Sequence, residues 1–78
     1  MKKVRLFVCG DMVVIDINMD TFVNFHSYDR QEVVANVVKI VSNGSSHYIH
    51  TDYFNVYRGK YSKFLLDDEN FARVCWVE

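Results

Sequence analysis

The 78 residues include no proline, only three glycines, and two cysteines that lie far apart. Without proline, internal repeat or low-complexity tract, nothing marks a linker, and residues 1–78 read as a single compact domain. Gly10, Gly44 and Gly59 stand alone, which excludes a glycine-rich loop that cradles phosphate. Cys9 and Cys75 belong to no close-spaced pair; each sits in an apolar run and reads as a reduced core thiol. Nine Lys and Arg against ten Asp and Glu leave a formal charge of −1, too little to draw nucleic acid or an anionic membrane. No apolar stretch approaches the length that spans a bilayer. Behind Met1-Lys2-Lys3, Arg5 and Asp11 interrupt the chain before a signal peptide could form. The expectation is a cytoplasmic protein without membrane contact.

What is present is apolar mass: 50% of the residues are hydrophobic and 15% aromatic, enough for a packed core without metal or disulfide. A chain this short buries only roughly 60% of its unfolded surface, so its stability margin is thin and oligomerisation would help it.

The firmest local reading is a β-hairpin turning on Gly10-Asp11. A two-residue loop there sets Leu6 opposite Ile15 and Val8 opposite Val13 on an apolar face. On the other face it sets Arg5 opposite Asp16, Phe7 opposite Val14 and Cys9 opposite Met12. Apolar alternation continues past Asn18, Asp20 and Thr21 as a bulged strand or as a third strand over residues 21–26. Asp29 as N-cap with Glu32 three residues on resembles a capping box, with Tyr28 and Val33 placed to staple across it. A helix is therefore predicted over about residues 30–42, with Val33, Val34, Val37, Val38, Ile40 and Val41 on one broad stripe and Gly44 as its C′ residue. Residues 47–66 are rich in β-formers around a turn at Arg58-Gly59-Lys60. A two-residue loop pairs Phe54 with Lys63, a three-residue loop pairs it with Phe64, and the second is favoured. Asp67 to Asn70 reads as a charged turn, and residues 71–77 as a last strand.

The predicted fold class is thus α+β: an antiparallel sheet of five or six strands with a single helix on one face, in the order ββ(β)αβββ. The expected core is Val4, Leu6, Val8, Val13, Ile15, Ile17, Val34, Val37, Val38, Val41, Val74 and Trp76. One helix covers one sheet face only. Phe7, Cys9, Met12 and Val14 then form an apolar second face, which either curls on itself or marks a homodimer or partner interface.

Catalytic and metal chemistry find little support. His47 and His50 with Asp52 suggest a metal, but residues three apart on a strand point to opposite faces. Neither cysteine lies in a loop or at a helix start, so no nucleophile candidate survives, and contiguous acids such as Asp67-Asp68-Glu69 belong to solvated turns. No catalytic residue, metal site or cofactor is expected, and the protein reads as a non-enzyme.

The stretch from Tyr53 to Phe64 holds more information. Tyr53, Tyr57, Arg58, Lys60, Tyr61 and Lys63 interleave rings and cations with no acid between them. Such a patch suits a protein-recognition surface, since Tyr and Arg are enriched at hot spots; single-stranded nucleic acid, stacking on the rings, is the alternative. A third reading leaves the rings packed on the sheet and the cations keeping a hairpin tip soluble. The profile of a short chain with no site chemistry and an aromatic surface is similar to that of small phage-encoded or mobile-element proteins that inhibit a host enzyme by covering a surface. The function expected is a protein-binding module, an inhibitor or regulator.

Overall fold

A computed structural model describes residues 2–17 and 30–77. It contains β1 (Lys3–Cys9), β2 (Met12–Ile15), β3 (Gln31–Asn43), β4 (Ser46–Asn55), β5 (Lys60–Leu66), helix α1 (Asp68–Ala72) and β6 (Trp76–Val77). Strand accounts for 67% and helix for 8% of the described residues, and the sheet is a nearly closed barrel. The α+β expectation, with a helix over 30–42, is therefore overturned in favour of a mostly antiparallel β architecture.

The first hairpin forms in the expected register, Leu6 facing Ile15, Phe7 Val14, Val8 Val13 and Cys9 Met12. The remaining antiparallel pairings build the order β2-β1-β3-β4-β5, with β6 also on β1. β3 takes one edge of β1 along its length. β2 and β6 divide the other edge: β2 pairs with residues 6–9 and β6 with Lys3 and Val4. At the junction Asp16 N–H donates to the Arg5 carbonyl (2.9 Å) and Cys75 N–H to the Asp16 carbonyl (3.0 Å). Arg5 and Asp16, expected to face each other, form an ion pair at 3.6 Å with the carboxylate side buried.

The segment read as a helix is the longest strand, β3, with 13 residues. Its many Val and Ile residues each lose a few tenths of a kcal/mol in a helix relative to Ala but fit a pleated strand well. Of the two helix-boundary signals, Glu32 lies in the ladder opposite Phe7, while Asp29 and Tyr28 lie outside the described residues. Gly44, with φ 62°, is the first residue of a two-residue loop closed by Asn43 and Ser46, the place where a type II′ hairpin takes glycine. The proposed strand over 21–26 also lies outside the described residues.

Two irregularities bend the long ribbon. The β3–β4 register shifts between Val37 and Lys39, and the β4–β5 register shifts between His50 and Phe54. Bulges of this kind sharpen twist and curvature, which brings the ends of the sheet toward each other. The second turn falls at residues 56–59, so Phe54 faces Tyr61 and Phe64 faces Ile49; neither short-loop register holds. The charged turn after β5 is the start of α1, where the Asp67 carboxylate accepts from Asn70 N–H (2.8 Å). The final strand is only Trp76–Val77, because Phe71 belongs to that helix.

The core comprises Val4, Leu6, Val8, Ile15, Ala35, Val37, Ile49 and Val74, with Val13, Ile17 and Val33 packed against it. Val34, Val38, Val41 and Trp76, expected inside, are exposed. As a strand, β3 sends Val33, Ala35 and Val37 inward and Val34 to the other face, where a helix would have grouped them. Ile49→Ala should cost about 2–5 kcal/mol in urea denaturation, since its side chain is fully buried, whereas Val38→Ala should stay within about 0.5 kcal/mol. Reversed magnitudes would contradict this assignment of inward and outward side chains.

Candidate functional site

β3, β4 and β5 expose a common outer face. Ile49, Thr51 and Asn55 of β4 are buried, so by alternation Tyr48, His50, Asp52 and Phe54 point outward. The ladder then sets outer side chains in rows. Val41, Tyr48 and Leu65 form one row; Lys39, His50 and Lys63 form the next. Beyond the second bulge Phe54 meets Tyr61 edge-to-face, with ring centroids 5.2 Å apart. Val38, Val41, Phe54, Tyr61 and Leu65 are all exposed, Tyr61 by 62% and Leu65 by 58%. The Lys63 ammonium lies 5.5 Å from the centre of the Tyr48 ring, joining the basic row to the apolar one.

The electrostatics of the basic row follow from its crowding. Partial desolvation, then the charges of Lys39 and Lys63, hold His50 below the ordinary imidazole range. Asp52, the outer acid between the row and the Phe54–Tyr61 pair, accepts from the Asn36 side chain (2.8 Å) and backbone N–H (2.9 Å). Those hydrogen bonds, the side-chain one foremost, hold its carboxyl below the usual range.

The six residues proposed for partner binding divide. Tyr57, Arg58, Lys60, Tyr61 and Lys63 are exposed, Tyr57 by 74% at the tip of the 56–59 loop. Tyr53 is half-buried against the core and is a packing residue. The second group divides as well. Met12 is exposed, Cys9 and Val14 are half-buried, and Phe7 is only 1% exposed within the single chain. Phe7 therefore needs no second protein to cover it.

Asn55, which the sequence did not single out, positions the basic tip. It is 2% exposed. Its side-chain oxygen accepts from the N–H groups of Tyr57 (2.9 Å) and Arg58 (3.2 Å). Its amide nitrogen donates to the Asp11 carbonyl (3.3 Å), tying the tip of the second hairpin to the first. Beside this tie lies a cleft of about 430 Å³ between the β2 side, represented by Asp11 and Val13, and residues 60–64 of β5, with Arg58 at its end.

A second cluster also escaped sequence reasoning. Ser42 Oγ lies 2.7 Å from His47 Nδ1, and His47 Nε2 lies 2.5 Å from an Asp68 carboxylate oxygen. Only when residues 31–55 are a hairpin does Ser42 face His47, and a Gly-Ser loop at 44–45 is the signal that could have shown it. The chain of contacts has the composition of a nucleophile relay, but Asp68 is largely solvent-exposed and Ser42 does not line the cleft beside Asn55. His47 also stacks on Phe71, with centroids 4.4 Å apart, so its ring clamps α1 to the sheet. His50 points to the opposite face from His47, and no cluster of three metal-ligating side chains occurs among the described residues. Burial, and then the neighbouring Asp16 carboxylate, push the Cys75 thiol up, which disfavours its thiolate.

No protein-family model, curated protein or solved structure matches this chain.

Two outcomes test this geometry. Lys63→Ala should raise the His50 titration midpoint, read by NMR of its imidazole protons, because one of the charges opposing protonation is gone; a fall or no movement would dissociate the two side chains. Asn55→Ala should lower stability by about 1–3 kcal/mol, measured by urea denaturation, because the buried side chain that accepts from the Tyr57 and Arg58 N–H groups and ties the two hairpins is removed.

Proposed function

We propose that this protein is a non-enzymatic protein-binding module, an inhibitor or regulator that covers a surface of its partner with the outer face of β3, β4 and β5. The observation that carries this reading is the pair of exposed apolar rows, Val41–Tyr48–Leu65 and Phe54–Tyr61, on either side of Lys39–His50–Lys63. A sheet face turned to water normally carries polar side chains, and exposed apolar ones flanking a basic row on one face support an interaction surface. The rings supply rigid contact area, and the basic row selects a partner whose apolar surface carries acidic groups. Val38, Val41 and Leu65 favour a protein over single-stranded nucleic acid, since aliphatic side chains offer no plane on which a base stacks. The row gains charge as His50 protonates below neutrality, which strengthens its attraction to an acidic partner.

The test is affinity capture from a lysate of the source cell, with and without nuclease, comparing the native chain with a Val41→Glu/Leu65→Glu double variant. Both sites are exposed, so the variant should keep the native circular dichroism. The expected result is a stoichiometric protein partner that survives nuclease and is lost at least tenfold with the variant. Capture of nucleic acid alone, or a partner held equally by a folded variant, would overturn the proposal.

A further inference from the structure

Building on the reading of this chain as a partner-binding module, we propose that the outer edge of β5 accepts an extended acidic segment of the partner as an added strand. Among the described residues β5 pairs only with β4, leaving its other edge along the cleft. The orientation of the backbone there follows from one contact. The Thr51 hydroxyl donates to the Ser62 carbonyl at 2.8 Å, so Ser62 turns its polar groups toward β4. In an antiparallel strand alternate residues direct their N–H and C=O to opposite edges, so those of Tyr61 and Lys63 face away from β4. Residues 60–64 line the cleft consecutively, with Asp11 and Val13 across it and His50 and Asn55 of β4 also in its lining. An extended peptide gains main-chain hydrogen bonds at such an edge and specificity from its alternate side chains.

Charge selects the occupant. Among the described residues that border the cleft, Arg58, Lys60 and Lys63 stand against one acid, Asp11. Lysines on an open edge ordinarily repel other strands, which protects the fold from aggregation. A segment bearing carboxylates reverses the sign of that interaction, and the same residues then discriminate in its favour. A second copy of this chain is disfavoured at the edge, because two β5 strands side by side bring their lysines and Arg58 together.

The probe is an end-blocked hexapeptide alternating Glu and Val, added to the isotope-labelled full chain, with amide hydrogen exchange read by NMR. Saturable binding should slow exchange at the Tyr61 and Lys63 amides about tenfold or more, while Ser62 changes little. The same peptide with Lys in place of Glu should not bind. Lys63→Pro should abolish the protection while Lys63→Ala only weakens affinity, since proline is tolerated at an outward edge position but removes the donor. Binding that leaves both amides unprotected, absence of binding up to millimolar peptide, or protection of the same amides by self-association without peptide would each overturn the edge proposal. If partner capture still depends on Val41 and Leu65 in that event, the outer-face reading stands and only the edge mode fails.

Discussion

The structure depends on the division of one edge of β1 between two short strands. A central strand must satisfy its N–H and C=O groups on both sides, and here β3 serves one side while β2 and β6 share the other. The handover at Asp16 is what makes the sharing work. Its backbone pairs with Arg5 and then accepts from Cys75, so the ladder passes from one strand to the next. The same residue keeps its buried carboxylate beside the Arg5 guanidinium, and a charge left unpaired in that position would be costly. Val4, Leu6 and Val8 are thereby fixed between two paired edges, and Ala35, Ile49 and Val74 pack around them.

This arrangement also decides where the molecule is open. Curling the sheet through the bulges in β3 and β4 brings β2 toward β5, and Asn55 joins the two hairpin tips. The join is local, so a cleft persists along β5. The inner face is consumed by the core, so the accessible side chains are those of the outer rows and that margin. Side chains presented from paired strands lose little freedom on binding, a lower ordering cost than a mobile loop carries.

The sequence made the first hairpin legible because glycine, alternation and a charge pair all favoured one register. It made β3 illegible because its signals serve two structures. Glycine with positive φ ends a helix or turns a hairpin, and Asp29 with Glu32 is compatible with a cap without requiring one. The period was also disturbed: the bulge at Val38 shifts the inward parity from Val37 to Ile40, and a strand with a broken alternation imitates a helical stripe. The low helix propensity of six Val and Ile residues was the physical signal that pointed the right way. At the candidate site, exposed Tyr57, Arg58, Lys60, Tyr61 and Lys63 were visible as a composition. The rows that Tyr61 and Lys63 join were not, since Lys39 and Val41 enter them only if β3 is a strand, and Leu65 and Tyr61 fall into place only with the four-residue turn at 56–59.

The pairing of β6 with β1 has a kinetic side. Lys3 meets Val77 and Val4 meets Trp76, contacts that span nearly the whole chain and cannot form by local zippering. The Gly10-Asp11 and Gly44-Ser45 hairpins close early because their loops are short, whereas the β1–β6 register waits until the intervening polymer has collapsed. A sheet closed by such long-range contacts belongs with slow, high-contact-order folders, in the millisecond-to-second range. Until that closure, the Lys3–Val4 edge stands bare, and the nascent chain is most vulnerable to mispairing at the strand on which its finished form is most secure.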